Sequence, residues 1–324
     1  MQSPMIESTL WHPVAACDEL STRNPLPVRL LEQPLVLWRD AHGAVHAFDD
    51  RCPHRGARLS LGRVHEGRLE CPYHGWRFEA GGRCVQVPAL PDFTPPPGHK
   101  VGAYAVAERA GLLWVCLSGD APAPEFETEA DERLRKITVG PYDVATSAPR
   151  VVENFLDMSH FGFVHEGWLG DREHVAQADY RVETTAAGVL ATGCRAWQPR
   201  SNRLSTEGSD VEYTYAVTAP YTAVLTKLPQ KQDGYRDVIS LFVCPVEPER
   251  SRVWFRMAVT DFASSDEELR AFQHTIFTQD QPVVESQVPR RLPLSGGELH
   301  SAADRLSAAY RRYLREQGIT FGVC

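Results

Sequence analysis

Two short loops of matched composition constrain this chain more than any other feature. They read Cys52-Pro53-His54-Arg55-Gly56 and Cys71-Pro72-Tyr73-His74-Gly75, with sixteen residues between His54 and Cys71. Each loop supplies one thiolate and one imidazole. That donor set suits a [2Fe–2S] cluster in which two thiolates hold one iron and two imidazoles the other. Neutral imidazoles leave such a cluster less negative than four thiolates would, which raises its reduction potential. Gly56 and Gly75 let the backbone run close to the sulfides, where N–H donors tune that potential. Zinc is the alternative occupant, but zinc modules pair Cys-x2–4-Cys with His-x3–5-His, a different spacing.

The rest of the chain sets the frame. Its 324 residues suffice for two domains, each with its own core. A formal net charge of -8 argues against nucleic acid as a partner, because phosphate binding needs clustered Lys and Arg. No apolar run approaches the ~20 residues of a membrane-spanning helix, and no signal peptide is visible. Eight cysteines (17, 52, 71, 84, 116, 194, 244 and 324) in a chain this long are not a disulfide scaffold, so the cytoplasm is the expected compartment.

Residues 1–118 read as an all-β module of short strands: Val28–Leu31, Leu35–Trp38, Val45–Phe48, Cys84–Val87 and Leu112–Leu117, with a turn at Asp40–Gly43. Ala121–Glu129 is Pro-rich, acidic and non-periodic, a candidate linker. Residues 119–324 read as α+β. The strands Val189–Trp197, Val211–Val217, Ala223–Leu228, Val238–Val243 and Val253–Val259 follow one another without helices between them, which favours an antiparallel sheet, and Asp233-Gly234 marks a turn. One helix is expected to begin near Ser264/Ser265. Another should start at Ser301, with Asp304 at capping-box spacing, and stop at Gly318.

A second polar group lies in a helix-like stretch from Val151 to His165. Asn154, Asp157 and His160 are three apart and would share a helical face. His165, five residues beyond His160, reaches the same metal only if the helix loosens after His160, which Gly162 would allow. Two histidines and a carboxylate with open positions form the facial triad of non-haem Fe(II) oxygenases. Asp157 is better used behind His160, so the carboxylate is assigned to Asp280. Its neighbours Phe272, Ile276, Val283 and Val284 fall on an apolar face at helical spacing. Taken without the first motif, core histidines would explain His160 and His165 better than ligands would, and a solvated helix acid would explain Asp280 equally well.

The Cys/His loops, the Glu153-Asn154-x-x-Asp157-x-x-His160-x4-His165 run and the later Gln279-Asp280 together resemble the α-subunits of Rieske oxygenases. The likeness covers essentially the whole chain and falls in the compact monooxygenase branch, with vanillate and dicamba O-demethylases. Cys84-Val-Gln-Val-Pro, Pro95-Pro-Pro97, His165-Glu-Gly-Trp-Leu-Gly-Asp-Arg and Gly322-Val-Cys324 are similar to hydroxylases of saxitoxin-type tricyclic alkaloids.

The resemblance implies a helix-grip (START-like) catalytic domain behind the Rieske domain. It implies that Cys52, His54, Cys71 and His74 hold the cluster and that His160, His165 and Asp280 hold a mononuclear Fe(II). It further implies that Asp157 links His160 to a cluster histidine of the neighbouring subunit in a head-to-tail homotrimer. Asn154 would stand beside the iron ligands or bond the helix backbone. The implied reaction is O2-dependent hydroxylation or oxidative demethylation of a small aromatic or polycyclic compound. Electrons would come from a separate NAD(P)H-dependent reductase with flavin and/or ferredoxin, since the chain lacks a Gly-x-Gly-x-x-Gly fingerprint. The candidate pocket residues are Phe155, Phe163, Trp168 and Leu169, with Tyr213, Tyr215 and Phe242 on the far wall. A Rieske electron carrier fused to a binding domain without catalytic iron is the rival reading.

Overall fold

The fold is taken from a computed structural model, which describes residues 5–186, 188–200, 205, 207–229 and 235–324. The chain divides into two compact units, residues 1–125 and 126–324. Among the described residues no helix is long and apolar enough to cross a membrane.

The first unit is all β. A six-stranded sheet runs in the order Trp11–Ala16, Leu112–Cys116, Ala103–Arg109, Val45–Asp49, Gln33–Arg39, Leu26–Leu30. Gly43, at φ 82°, closes the expected turn by donating its N–H to Asp40 at 3.1 Å. A smaller sheet joins Arg63–His65, Arg68–Glu70, Arg77–Phe78 and Cys84–Gln86. One Cys/His loop leaves the end of Val45–Asp49. The other links Arg68–Glu70 to Arg77–Phe78. Both cysteines are rooted in a core that includes Trp38, Phe48, Leu69 and Phe78.

The second unit is built on a seven-stranded antiparallel sheet in the order Arg135–Val144, Arg250–Val259, Asp237–Glu247, Thr222–Pro229, Ser209–Ala219, Gly188–Gln198, Arg181–Thr185. The last six strands form a continuous meander, and the first pairs back onto the final one. Strict alternation explains the buried face of Ser209–Ala219, where Val211, Tyr213, Tyr215 and Val217 all point inward. The Asp233-Gly234 turn lies outside the described residues.

The long helix Asp266–Ser286 starts at Ser265, whose hydroxyl accepts from the Glu268 N–H while the Glu268 carboxylate accepts from the Ser265 N–H. Its Phe277 ring sits 4.6 Å from Tyr142 and 5.2 Å from Phe255, which presses the helix onto the first and last strands. The buried face runs through Gln273, Ile276, Phe277, Asp280 and Val284. Val283, expected on that face, is exposed because it sits one position round the helix from Val284.

One further expectation needs correction. Val151–His165 is not one loosened helix: Ala148–Leu156 ends at Asp157, which is extended (φ -86°, ψ 134°), and a single turn, Phe161–Val164, follows. The break precedes His160. Asp157 draws its carboxylate back onto the Ser159 N–H at 2.8 Å, a local bond that competes with helix. Gly162 serves instead for close packing, since a Cβ there would lie 2.5 Å from the Asp171 carbonyl oxygen. The boundary between the two units falls inside the Ala121–Glu129 segment, as expected of a linker, and its last residue is held within the second unit. Glu129 grips Arg256 through two bonds of 2.9 and 2.7 Å.

Ala148–Leu156 is held by a buried ionic cluster. Arg311, on the C-terminal helix Arg305–Glu316, binds Glu153 (2.8 Å for one of two bonds) and Glu298, which also accepts from Arg150 at 3.2 Å. Arg150 and Arg311 are 2% and 6% exposed, so each needs its acids. Burial pushes the Glu298 carboxyl up, but the two guanidiniums outweigh it and leave it below the ordinary value. That contribution is present above the unfolded carboxylate pKa and is lost as the pH falls through the lowered one. Glu153→Ala leaves Arg150 and Arg311 sharing the Glu298 carboxylate alone and should cost about 3–5 kcal/mol, read as a lower denaturant midpoint. An unchanged midpoint would show the cluster to be idle.

Candidate functional site

The two Cys/His loops share one backbone design. The Cys52 N–H donates to Ala57 O and accepts the Gly56 N–H on its carbonyl (both 2.8 Å); Cys71 does the same with Trp76 (2.8 Å) and Gly75 (3.1 Å). Gly56 and Gly75 stand at φ 75° and 69°, the left-handed region that such tight loops require. The amides of His54 and Arg55 point at the Cys52 sulfur, and those of Tyr73 and His74 at Cys71. The proximity of the two thiols lowers Cys71 and raises Cys52. Loss of water, with the charges of His74 and Arg55, lowers the His54 pKa and favours its neutral ring. The His54 Nδ1 atom is buried without a hydrogen-bond partner. Two sulfurs under converging amides and an orphaned imidazole nitrogen fit a [2Fe–2S] cluster. His54 is further fixed by stacking on Trp76 at 4.5 Å, whereas Tyr73 and His74 are exposed.

In the second unit the ligating atoms of His160, His165 and Asp280 converge. The two Nε2 atoms are 3.2 Å apart, and Asp280 Oδ1 lies 3.3 Å from His160 Nε2 and 3.2 Å from His165 Nε2. The opposite ring nitrogens are both engaged: His165 Nδ1 with Gln279 Oε1 at 2.8 Å, His160 Nδ1 with Asp157 Oδ2 at 3.2 Å. Both acceptors oblige the Nδ1 positions to carry the protons, leaving lone pairs on both Nε2 atoms. Three acceptor atoms then face one another, an arrangement that only a cation relieves. Edges of 3.2–3.3 Å describe one face of an octahedron whose centre lies about 2.3 Å from each corner, within reach of a metal–nitrogen bond. The site therefore fits a mononuclear iron. Asn154 reaches Asp280 Oδ1 only at 3.4 Å. Burial pushes the Asp157 carboxyl up, but the His160 ring and Ser159 outweigh it and leave its pKa lowered. Gln279, read at first only as part of a Gln-Asp pair, orients His165 as Asp157 orients His160.

A cavity of about 700 Å³, counted with the open solvent it holds, borders the three ligands. Phe155, Leu169, Tyr213 and Tyr215 line it as expected. Phe163, Trp168 and Phe242 do not. Phe163 is exposed under Arg172, and Trp168 packs edge-on against Phe272, 5.6 Å away. Phe242 falls to strand parity: Ile239 and Leu241 face the cavity, so Phe242 faces away, against Phe126 at 4.9 Å. The lining also includes Gln273 and Lys227, which sequence reasoning passed over. A lysine two residues from Leu225 in an apolar-alternating strand was the available signal.

The Rieske [2Fe-2S] domain family matches residues 10–104, and the vanillate O-demethylase oxygenase C-terminal domain family matches residues 144–317, more than half of the chain. This chain is a Rieske oxygenase α-subunit. Methylxanthine N1-demethylase NdmA of Pseudomonas putida is 34% identical over 94% of this chain and 88% of its own length. The structure of Pseudomonas putida CBB5 NdmA with caffeine superposes with a TM-score of 0.84 at 31% identity, covering 96% of this chain and 91% of that one. Dicamba monooxygenase bound to dicamba shares the fold at TM-score 0.80 and 22% identity, over 97% of this chain and 98% of that one. As a Rieske oxygenase the protein is an O2-using oxidoreductase with a [2Fe–2S] cluster and a mononuclear iron. Replacing Asp280 with Ala should leave the reduced-cluster EPR signal intact and lower iron from about three to about two per chain. Retention of the third iron would sink the assignment of Asp280 as a ligand.

Proposed function

We propose that this Rieske oxygenase oxidatively demethylates a small, flat N- or O-methylated ring compound. The observation that carries the proposal is an aromatic-walled cavity that ends on a three-ligand metal site. It is supported by the likeness to a protein named for N-demethylation of methylxanthine. Ring hydroxylation without loss of a methyl group is the second reading, since the same cavity would serve it.

In this account Cys52, His54, Cys71 and His74 hold the cluster, and His160, His165 and Asp280 hold the iron. When bound, these centres supply electrons and activate O2 for insertion into a C–H bond. The protein's own residues do the rest. Asp157 and Gln279 fix the two imidazoles with their Nε2 atoms turned inward. Phe155, Phe255 and Phe277 exclude water and hold a flat ring against the ligand face. Hydroxylation of an N- or O-methyl carbon gives a hemiaminal or hemiacetal, which collapses to formaldehyde and the demethylated ring.

Electrons come from a separate NAD(P)H-dependent reductase with flavin and/or ferredoxin, and the working assembly is a homotrimer in the cytoplasm. Exposure at the cluster loop supports the trimer: Tyr73, beside His74, is 60% exposed and offers an apolar contact. Asp157, still one-third exposed, can accept a bond from a neighbour's cluster histidine while holding His160.

With a surrogate reductase and NADH, wild-type protein should release formaldehyde from at least one member of a panel of methylxanthines and methoxybenzoates. Ring-hydroxylated products without formaldehyde would turn the assignment to the second reading. Asp157→Asn should keep both metal centres and lower turnover by about 10–100-fold, because it keeps the shape and loses the charge behind His160. Wild-type turnover in that variant would remove Asp157 from the electron path.

A further inference from the structure

One row across the sheet of the second unit is polar where its neighbours are apolar. Tyr213 pairs with Lys227, and Lys227 with Asp237, on three adjacent strands. Lys227 is only 5% exposed, yet it lines the cavity on which the iron ligands stand. Among the described residues Lys227 has neither a side-chain hydrogen bond nor an ion pair within 4 Å; its one electrostatic neighbour is Asp237. That carboxyl is buried too, with Oδ1 unbonded and Tyr235 hydrogen-bonded to it. Burial lowers the lysine to about 8, so its protonated form still prevails at neutral pH. Nearby, the Tyr215 hydroxyl is also buried in the lining without a partner.

A buried ammonium is costly unless an acceptor meets it; beyond Tyr213 and Asp237 in its own row, the sheet wall of the cavity is Leu225, Ile239, Leu241 and Phe255. The missing acceptor belongs to whatever fills the cavity. We propose that Lys227 is the substrate anchor of this cavity, and that the substrate is a methylated aromatic acid or acidic heterocycle whose anionic oxygen or nitrogen it binds. The inference rests on the oxygenase reading and narrows it to anionic substrates. Tyr215 donates a second hydrogen bond to the same ligand, and the apolar wall sorts for a flat ring. Charge at one point and a slot elsewhere fix which methyl group faces the iron.

The test is calorimetric binding to the full-length protein with both metal centres loaded. Two matched pairs serve as probes: 4-methoxybenzoate against 4-methoxybenzamide, and 1,3-dimethylurate against caffeine. Wild type should bind the anion of at least one pair about tenfold or more tightly than its neutral partner. Lys227→Met, which keeps the stem and removes the charge, should abolish that preference while leaving affinity for the neutral partner within about twofold. Lys227→Arg should restore part of it. Iron content and the reduced-cluster EPR signal show whether the variants are intact. Equal affinities within both pairs in wild type, no binding of either pair, or an undiminished preference in intact Lys227→Met would overturn the proposal. A preserved anion preference without O2-dependent product would instead retain the anchor and reject the oxygenase reading.

Discussion

Everything distinctive in the second unit depends on one electrostatic problem: two imidazole lone pairs and a carboxylate oxygen held within 3.3 Å of one another. No fold gathers three acceptors for packing alone, because buried acceptors without donors are destabilising. The scaffold resists their repulsion from several sides. The break at Asp157 swings His160 inward, the Phe161–Val164 turn carries His165 back beneath it, and the long helix brings Asp280. A cation bound there would relieve that repulsion.

Two acids near that point have opposite tasks because of where the backbone places them. Asp280 lies inside a helix, 7% exposed, with its oxygen turned onto both Nε2 atoms. Asp157 sits in extended backbone outside any helix, holds the far nitrogen of His160, and keeps one-third of its side chain open. One acid can therefore serve a metal within the chain while the other remains available to a second molecule. The cluster unit shows the complementary asymmetry: His54 is fixed against Trp76, whereas His74 is exposed.

Much of this was legible in the sequence, for reasons that differ by element. Cys52, His54, Cys71 and His74 announce themselves because a cluster needs four fixed donors on two tight loops, and tight loops leave short spacings. Strands such as Ser209–Ala219 were legible through alternation, and the long helix through its cap at Ser265. The helix break was not, because a Ser159 N–H taken by Asp157 competes with a helical bond at a position where both are locally acceptable. Phe242 misled through a one-residue parity choice. Lys227 was passed over because a lysine in a strand usually faces water, and only its register beside Tyr213 and Asp237 shows that it does not.

The cluster and the mononuclear site are expected to act together on one substrate. A single-turnover experiment shows whether they do. Protein with both centres loaded is reduced, freed of reductant, and mixed with O2 and the methylated ring compound that binds best. Cluster reoxidation and formaldehyde should appear together, in proportion to protein and without any reductase present. Reoxidation of the cluster with no oxidised product would contradict it and reduce the chain to an electron carrier.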